Sequence, residues 1–234
     1  VEGTGILQQP EKPLFLGNAG TATRFLTAAA ALVKGAVIVD GDEHMRKRPI
    51  LPLVEALRSL GIEADAPTGC PPVTICGKGN GFPKESVTID ANLSSQYVSA
   101  LLMAAACGEK PVDIILAGEE IGAKGYIDLT TSAMEAFGGK VERVSNAIWR
   151  VHPTGYRATD FHIEPDASAA TYLWGAALLT GGKIDIGTPA DKFTQPDAKA
   201  YEVMAKFPPL PAEIDGSQMQ DAIPTIAVLA AFNE

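Results

Sequence analysis

Three shortages bound what this chain can be. It has no apolar run near the roughly 20 residues that a membrane-spanning helix needs, and Val1-Glu-Gly does not open a secretory leader. Cysteine is scarce: Cys70, Cys76 and Cys107 are odd in number and lack the spacing of a metal knot. They read as buried or incidental thiols of a reducing cytoplasm, with no metal expected. Positive charge is short as well, with 19 Lys and Arg against 28 Asp and Glu and a net charge of −9. That balance argues against nucleic acid or an anionic membrane surface as partner. It sits awkwardly with an anionic substrate too.

What the chain does have is core. Its 234 residues are 46% hydrophobic and 20% charged, enough for one large globular domain or two smaller ones. It begins without Met and stops at Phe232-Asn-Glu just after a helical pattern, so both ends read as cut from something longer.

The stretch Leu14-Phe-Leu-Gly-Asn-Ala-Gly-Thr-Ala-Thr-Arg24 carries the most information. Gly17 and Gly20 allow a close backbone approach. Asn18 or Thr21 is placed to cap a helix running through Phe25 to Ala31. The first-turn N–H groups of that helix, with its dipole, form a site for phosphate or carboxylate, and Arg24 adds charge one turn in. An ordinary capped helix is the plain alternative. Recurrence argues for more than that.

Asn18, Asn92 and Asp166 are separated by 74 and again 74 residues, and each precedes small and apolar residues at helical spacing. Tyr97, Leu101 and Ala104 show the i, i+4, i+7 face. A fourth phrase begins at Asp221, 55 residues after the third. Each of the first three helices is followed by a strand-like run ending in Gly: Ala36–Gly41, Val112–Gly118 and Lys183–Gly187. Second helices follow, through Ile50, Leu53, Val54 and Leu57, through Ile127, Met134 and Phe137, and through Tyr201 and Met204. The first two stop at Gly61 and Gly138. Strand pairs near 62–65 and 73–76, and near 141–144 and 148–151, complete two units. A strand near 87–90 leads into the second unit's first helix. The pattern predicts an α+β (mixed α/β) fold of repeated βαβαββ units. The third copy is degenerate after Phe207, and the polar stretch from Asp160 to Asp166 reads as a hinge. The expected domains are 1–163 and 164–234.

Five segments, in order across nearly the whole chain, resemble the enolpyruvyl transferases, and within them the 5-enolpyruvylshikimate-3-phosphate synthase family. They are Leu14–Arg24, Gly41-Asp-Glu-His-Met-Arg-Lys-Arg-Pro-Ile50, Leu93-Ser-Ser-Gln-Tyr-Val-Ser-Ala-Leu-Leu102, Lys124-Gly-Tyr-Ile-Asp128 and Asp166-Ala-Ser-Ala-Ala-Thr-Tyr172. The resemblance implies a two-domain fold, an inside-out α/β barrel of three βαβαββ units per domain, incomplete in this chain. It implies transfer of the enolpyruvyl group from phosphoenolpyruvate to the 5-hydroxyl of shikimate 3-phosphate, without metal or cofactor, by a cytoplasmic monomer. It puts Ser94, Ser95, Gln96, Tyr126 and Asp221 on shikimate 3-phosphate, with Asp221 as the proton acceptor. It puts Gly20, Gln96, His44, Asn18 and Arg24 on the phosphoenolpyruvate side. Each keeps a plain reading: Ser94 and Ser95 as an N-cap pair, Tyr126 as a surface or core aromatic, Asp221 as a helix cap, Arg46-Lys-Arg48 as a solvated charge run.

The pattern departs from the family's in several places. Phe25 stands for a proline, His44 for an arginine that binds phosphoenolpyruvate, Ala123 for a serine that binds the shikimate phosphate, Gly125 for a proline and Gln220 for a proline. A histidine lacks the guanidinium fork and is partly charged near neutrality, so Arg46 is considered as its stand-in. Weaker sensitivity to glyphosate, which competes at the phosphoenolpyruvate position in this family, is expected from Phe25 and His44. The family's N-terminal Lys-Ser segment and its later basic segments fall outside the sequence. The chain alone is therefore expected to be inactive, and its acidity is explained by the basic part of the site lying elsewhere. Two other readings remain. One is the sister enzyme acting on a UDP-amino sugar (UDP-N-acetylglucosamine), whose loop cysteine Cys70 matches poorly. The other is a non-catalytic binding domain of the same fold.

Overall fold

The computed structural model describes residues 5–90, 94–118 and 124–233. Asn92, Leu93 and Ala123 lie outside the described residues. The chain divides into two compact units, one of Val1–Ile121 with Thr130–Thr159 and the other of Gly122–Leu129 with Asp160–Glu234.

Residues 14–152 hold two copies of one motif, nearly all of it in the first unit; the start of the second copy's second helix belongs to the second unit. The first copy runs β1 (Leu14–Phe15), α1 (Gly20–Ala29), β2 (Lys34–Asp40), α2 (Leu51–Ser59), β3 (Glu63–Asp65) and β4 (Val73–Lys78). The second runs β5 (Ser86–Asp90), α3 (Ser95–Ala105), β6 (Val112–Ala117), α4 (Lys124–Ala136), β7 (Lys140–Ser145) and β8 (Ile148–His152). Each copy forms a four-stranded sheet of the same order, β1-β2-β4-β3 and β5-β6-β8-β7. The first pair of each sheet is parallel, the other two antiparallel. The βαβαββ pattern is present as expected, and no sheet closes into a barrel among the described residues.

Alternation sets the register. Val37 and Val39 of β2 and Val73 and Ile75 of β4 face inward, with Val37 opposite Ile75 and Val39 opposite Val73. Leu53, Val54 and Leu57 of α2 are fully buried, the face that helical spacing foretold. In the second copy Ile114 stands opposite Trp149 and Val112 opposite Val151, all buried. Gly61 and Gly138 take φ of +89° and +85° just beyond α2 and α4, the left-handed stop expected there.

The second unit is built differently. It holds α5 (Ala167–Thr180), α6 (Ala200–Met204) and α7 (Ile223–Ala230), with 3₁₀ turns at Ala190–Lys192, Pro196–Lys199 and Gln220–Ala222. Ala170, Trp174, Met204, Leu210, Ile226 and Leu229 are among its buried core. The strand expected at Lys183–Gly187 does not form. A strand needs a neighbour for its N–H and C=O groups, and this segment has no ladder among the described residues. Ile184 stays 43% exposed, and the segment lines a hollow with Trp174 and Tyr201. No helix among the described residues is long and apolar enough to cross a membrane.

Candidate functional site

In the first unit the glycine-rich turn is shaped by close backbone approach. Gly17 takes φ +56°, and its carbonyl accepts the N–H of Asp42 at 3.1 Å. A Cβ at Gly41 would stand 2.3 Å from that carbonyl oxygen, so β2 can end against the turn only through glycine. α1 then begins at Gly20 with Ala19 in the N-cap position and no side-chain cap. Neither Asn18 nor Thr21 caps it, contrary to expectation. Asn18 stands one residue too early, and Thr21 lies inside the first turn, where its hydroxyl accepts the Gln96 amide at 3.1 Å. An uncapped helix start offers its first N–H groups to an external anion.

The cation at that start is Arg48. Its Nη1 lies 3.5 Å from both the carbonyl and the Oδ1 of Asn18, and a Cβ on Gly20 would come within 2.7 Å of it. The structure does not bring His44 there. His44 is exposed, with its Nε2 3.6 Å from Glu43. Arg46 is engaged elsewhere, its Nε 2.9 Å and Nη2 2.5 Å from the two oxygens of Asp40. Those hydrogen bonds hold the Asp40 carboxyl below the usual carboxylate range, against a smaller opposing effect of burial. The run Arg46-Lys-Arg48 is thus a buried Met45 anchor followed by two arginines with different tasks.

Gln96 joins α1 to α3. Its Oε1 accepts from Arg24 Nη1 while its Nε2 donates to Thr21, so both ends of the amide are fixed. Arg24 also lies over the Tyr97 ring, 5.3 Å from its centroid. The Tyr97 hydroxyl donates to the Pro49 carbonyl at 2.8 Å, tying the segment that carries Arg48 to α3. Ser94 caps α3, its hydroxyl accepting the Gln96 N–H at 3.3 Å, and Ser95 is the first helical residue. Asn18, Gly20, Arg24, Ser94, Ser95 and Gln96 are therefore gathered at two adjoining helix starts. Arg48 and Tyr97 complete the set. Sequence reasoning left the first in a charge run and used the second only to mark a helix face.

In the second unit Tyr126, near the start of α4, donates its hydroxyl proton to Asp197 Oδ2 and lies 3.4 Å from Asp221 Oδ2. Asp197 is 1% exposed. Its other oxygen accepts the main-chain N–H groups of Asp221 and Ala222 at 3.1 and 3.2 Å. The capping carboxylate at the entry to α7 is thus Asp197. Asp221 does not cap that helix, and its own side chain is exposed. Burial, then the hydrogen bond to Asp197 and the charges of both carboxylates, push the Tyr126 phenol far above its ordinary range, against a smaller opposing hydrogen bond from Ser168. Gly125 is explained by Pro196: a Cβ there would lie 2.8 Å from Pro196 Cβ, and a proline ring would collide with it. Asp197 carried no signal in the sequence beyond an acidic residue in a helical first turn.

A family model described as EPSP synthase (3-phosphoshikimate 1-carboxyvinyltransferase) matches residues 1–234. The chain belongs to the EPSP synthase family. It is 74% identical over 234 residues to a 3-phosphoshikimate 1-carboxyvinyltransferase of Rhizobium etli, covering 100% of this chain and 56% of that protein. It is 65% identical over 233 residues to the protein of the same name from Pseudomonas savastanoi pv. phaseolicola, again covering 100% of this chain and 56% of the relative. The chain therefore spans little more than half the length of these curated relatives. Among solved structures, EPSP synthase from Acinetobacter baumannii matches with a TM-score of 0.58 and 26% identity, over 72% of this chain and 37% of that one. EPSP synthase membership agrees with the five ordered segments. It does not favour the UDP-amino-sugar reading, and Cys70 is a half-buried free thiol.

Proposed function

We propose that the protein carrying this chain transfers the enolpyruvyl group of phosphoenolpyruvate to the 5-hydroxyl of shikimate 3-phosphate. The observation that carries this is the pairing of family membership over every residue with an uncapped, arginine-covered helix start. In the reaction the hydroxyl oxygen bonds to C2 of phosphoenolpyruvate, the C2–O bond to phosphate breaks, and the hydroxyl proton is taken up. Asp221, an exposed carboxylate beside Tyr126, is suited to accept that proton. Ser94, Ser95, Gln96 and Tyr126 contact shikimate 3-phosphate. The start of α1, with Gly20, Asn18 and Gln96, takes phosphoenolpyruvate, and Arg48 supplies the fork first sought at His44. Arg24 acts through Gln96, whose amide it orients.

On this reading residues 1–163 belong to the first domain of the family and 164–234 to the second. The reaction belongs to aromatic amino-acid biosynthesis, runs in the cytoplasm, and needs neither metal nor organic cofactor. The protein works as a monomer and has no nucleic-acid or membrane partner. Altered glyphosate sensitivity now rests on Phe25, since Arg48 meets the need for a cation. The test is phosphate release by the protein at its full natural length. Release that requires both phosphoenolpyruvate and shikimate 3-phosphate is expected. Release with UDP-N-acetylglucosamine and none with shikimate 3-phosphate would overturn the reading.

A further inference from the structure

We propose that Asp197 is a positioning residue for the acid–base step, dictating where the single phenolic proton of Tyr126 points. This rests on the reading of Asp221 as proton acceptor. The phenol oxygen stands between two carboxylates, Asp197 Oδ2 and Asp221 Oδ2, takes a hydrogen bond from Ser168 as well, and has one proton to give. Asp197 takes it. Its carboxylate is 1% exposed and accepts on both oxygens, from the phenol on one and from the N–H groups of Asp221 and Ala222 on the other. The same carboxylate therefore fixes the backbone of the acceptor and draws the phenol's proton away from it. Asp221 meets its substrate without a competing proton from Tyr126.

The inventory of donors makes this testable with one isosteric change. In Asp197→Asn the amide oxygen must keep facing the two main-chain N–H groups, because these offer protons and need an acceptor. The amide NH₂ is then forced onto the phenol oxygen, and the phenol proton swings to Asp221. That proton opposes the acceptor role. Adding Tyr126→Phe removes the proton altogether.

At full natural length, Asp197→Asn is expected to lower kcat about 10- to 100-fold, with KM for both substrates changed less than about threefold and an unchanged melting temperature. The double variant Asp197→Asn/Tyr126→Phe is expected to regain at least about half of that loss on a logarithmic scale. A purely structural role would give a double variant no faster than the single one, and that result overturns the proposal. Asp221→Asn run in parallel separates the two claims. If it abolishes turnover while Asp197→Asn leaves kcat intact, the proposal fails and the acceptor assignment stands; if it turns over normally, both fail. Should Asp197→Asn not fold, the Tyr126 hydroxyl proton decides by NMR. A downfield, slowly exchanging resonance that persists in Asp221→Asn supports the proposal, and one that disappears in that variant overturns it.

Discussion

The two units satisfy their backbones by different means. In the first, six strand pairings among the described residues carry much of the main-chain hydrogen bonding, and the start of α1 has no side-chain cap. In the second, side chains do what a ladder would do. Glu164 accepts the N–H groups of Thr194 and Gln195 at 2.9 to 3.1 Å. Gln195 accepts the Ala167 N–H at 2.9 Å and donates to the Pro165 carbonyl at 2.7 Å. Asn233 accepts from Leu210 N, and Asp197 from Asp221 and Ala222. A sheet's hydrogen bonds do not titrate, whereas carboxylates do. Two of these four side chains, Glu164 and Asp197, are carboxylates, where the first unit's sheets use main-chain groups alone.

Four measurements sharpen or break that contrast. Trp149→Ala, which empties the heart of the β6–β8 sheet at a residue 2% exposed, should cost about 3–5 kcal/mol in urea unfolding. Amide exchange should then rise across the second copy's strands. Exchange rising mainly in α5 to α7 would contradict a first unit held by its own sheets.

Arg48→Ala should raise KM for phosphoenolpyruvate about 10- to 100-fold, the size of a lost charge-assisted hydrogen bond. His44→Ala should change it less than about twofold. The reverse ranking would return the anion site to His44.

The helix starts differ in the same spirit, since Asp166 caps α5 by accepting from Ser168 and Ala169 while α1 has no side-chain cap. Asp166→Ala should cost about 1 kcal/mol. Ala19→Asp should stabilise by a similar amount yet raise KM for phosphoenolpyruvate, because the new carboxylate would compete for the same N–H groups. A more stable variant with unchanged KM would remove phosphoenolpyruvate from α1.

The smallest effect concerns acid. Burial raises the Glu164 carboxyl, but the hydrogen bonds from Thr194 and Gln195 outweigh it and hold it below its ordinary value. A folded value below the unfolded one means stability that is present above the unfolded carboxylate range and lost as pH falls through the folded value. Glu164→Gln should therefore lower the melting temperature near neutrality and converge on the parent protein under strongly acidic conditions. A constant difference at all pH values would show that shape, not charge, holds that turn.

The βαβαββ units were legible because their signals are local. Alternation in β2 and β4, the helical face of α2 and the glycines after α2 and α4 report on residues a few positions apart. The gathering of Ser94, Ser95 and Gln96 with the glycine-rich turn was legible through the 74-residue repeat. Arg48 was not, because four positions separate it from His44 and sequence spacing does not say which guanidinium the 45–47 turn swings over Gly20. Asp197 was hidden because its partners, at 126, 221 and 222, are distant in sequence.

Most elements, their order and the two helix starts that meet through Gln96 follow from periodicity and turn glycines, which act over short range. Tertiary contacts settled which carboxylate is buried, which arginine covers the turn, and that Lys183–Gly187 pairs with no strand among the described residues. Each of those depends on what a distant segment brings alongside: an acceptor for a phenol, a close approach for a guanidinium, or a neighbouring strand to pair with.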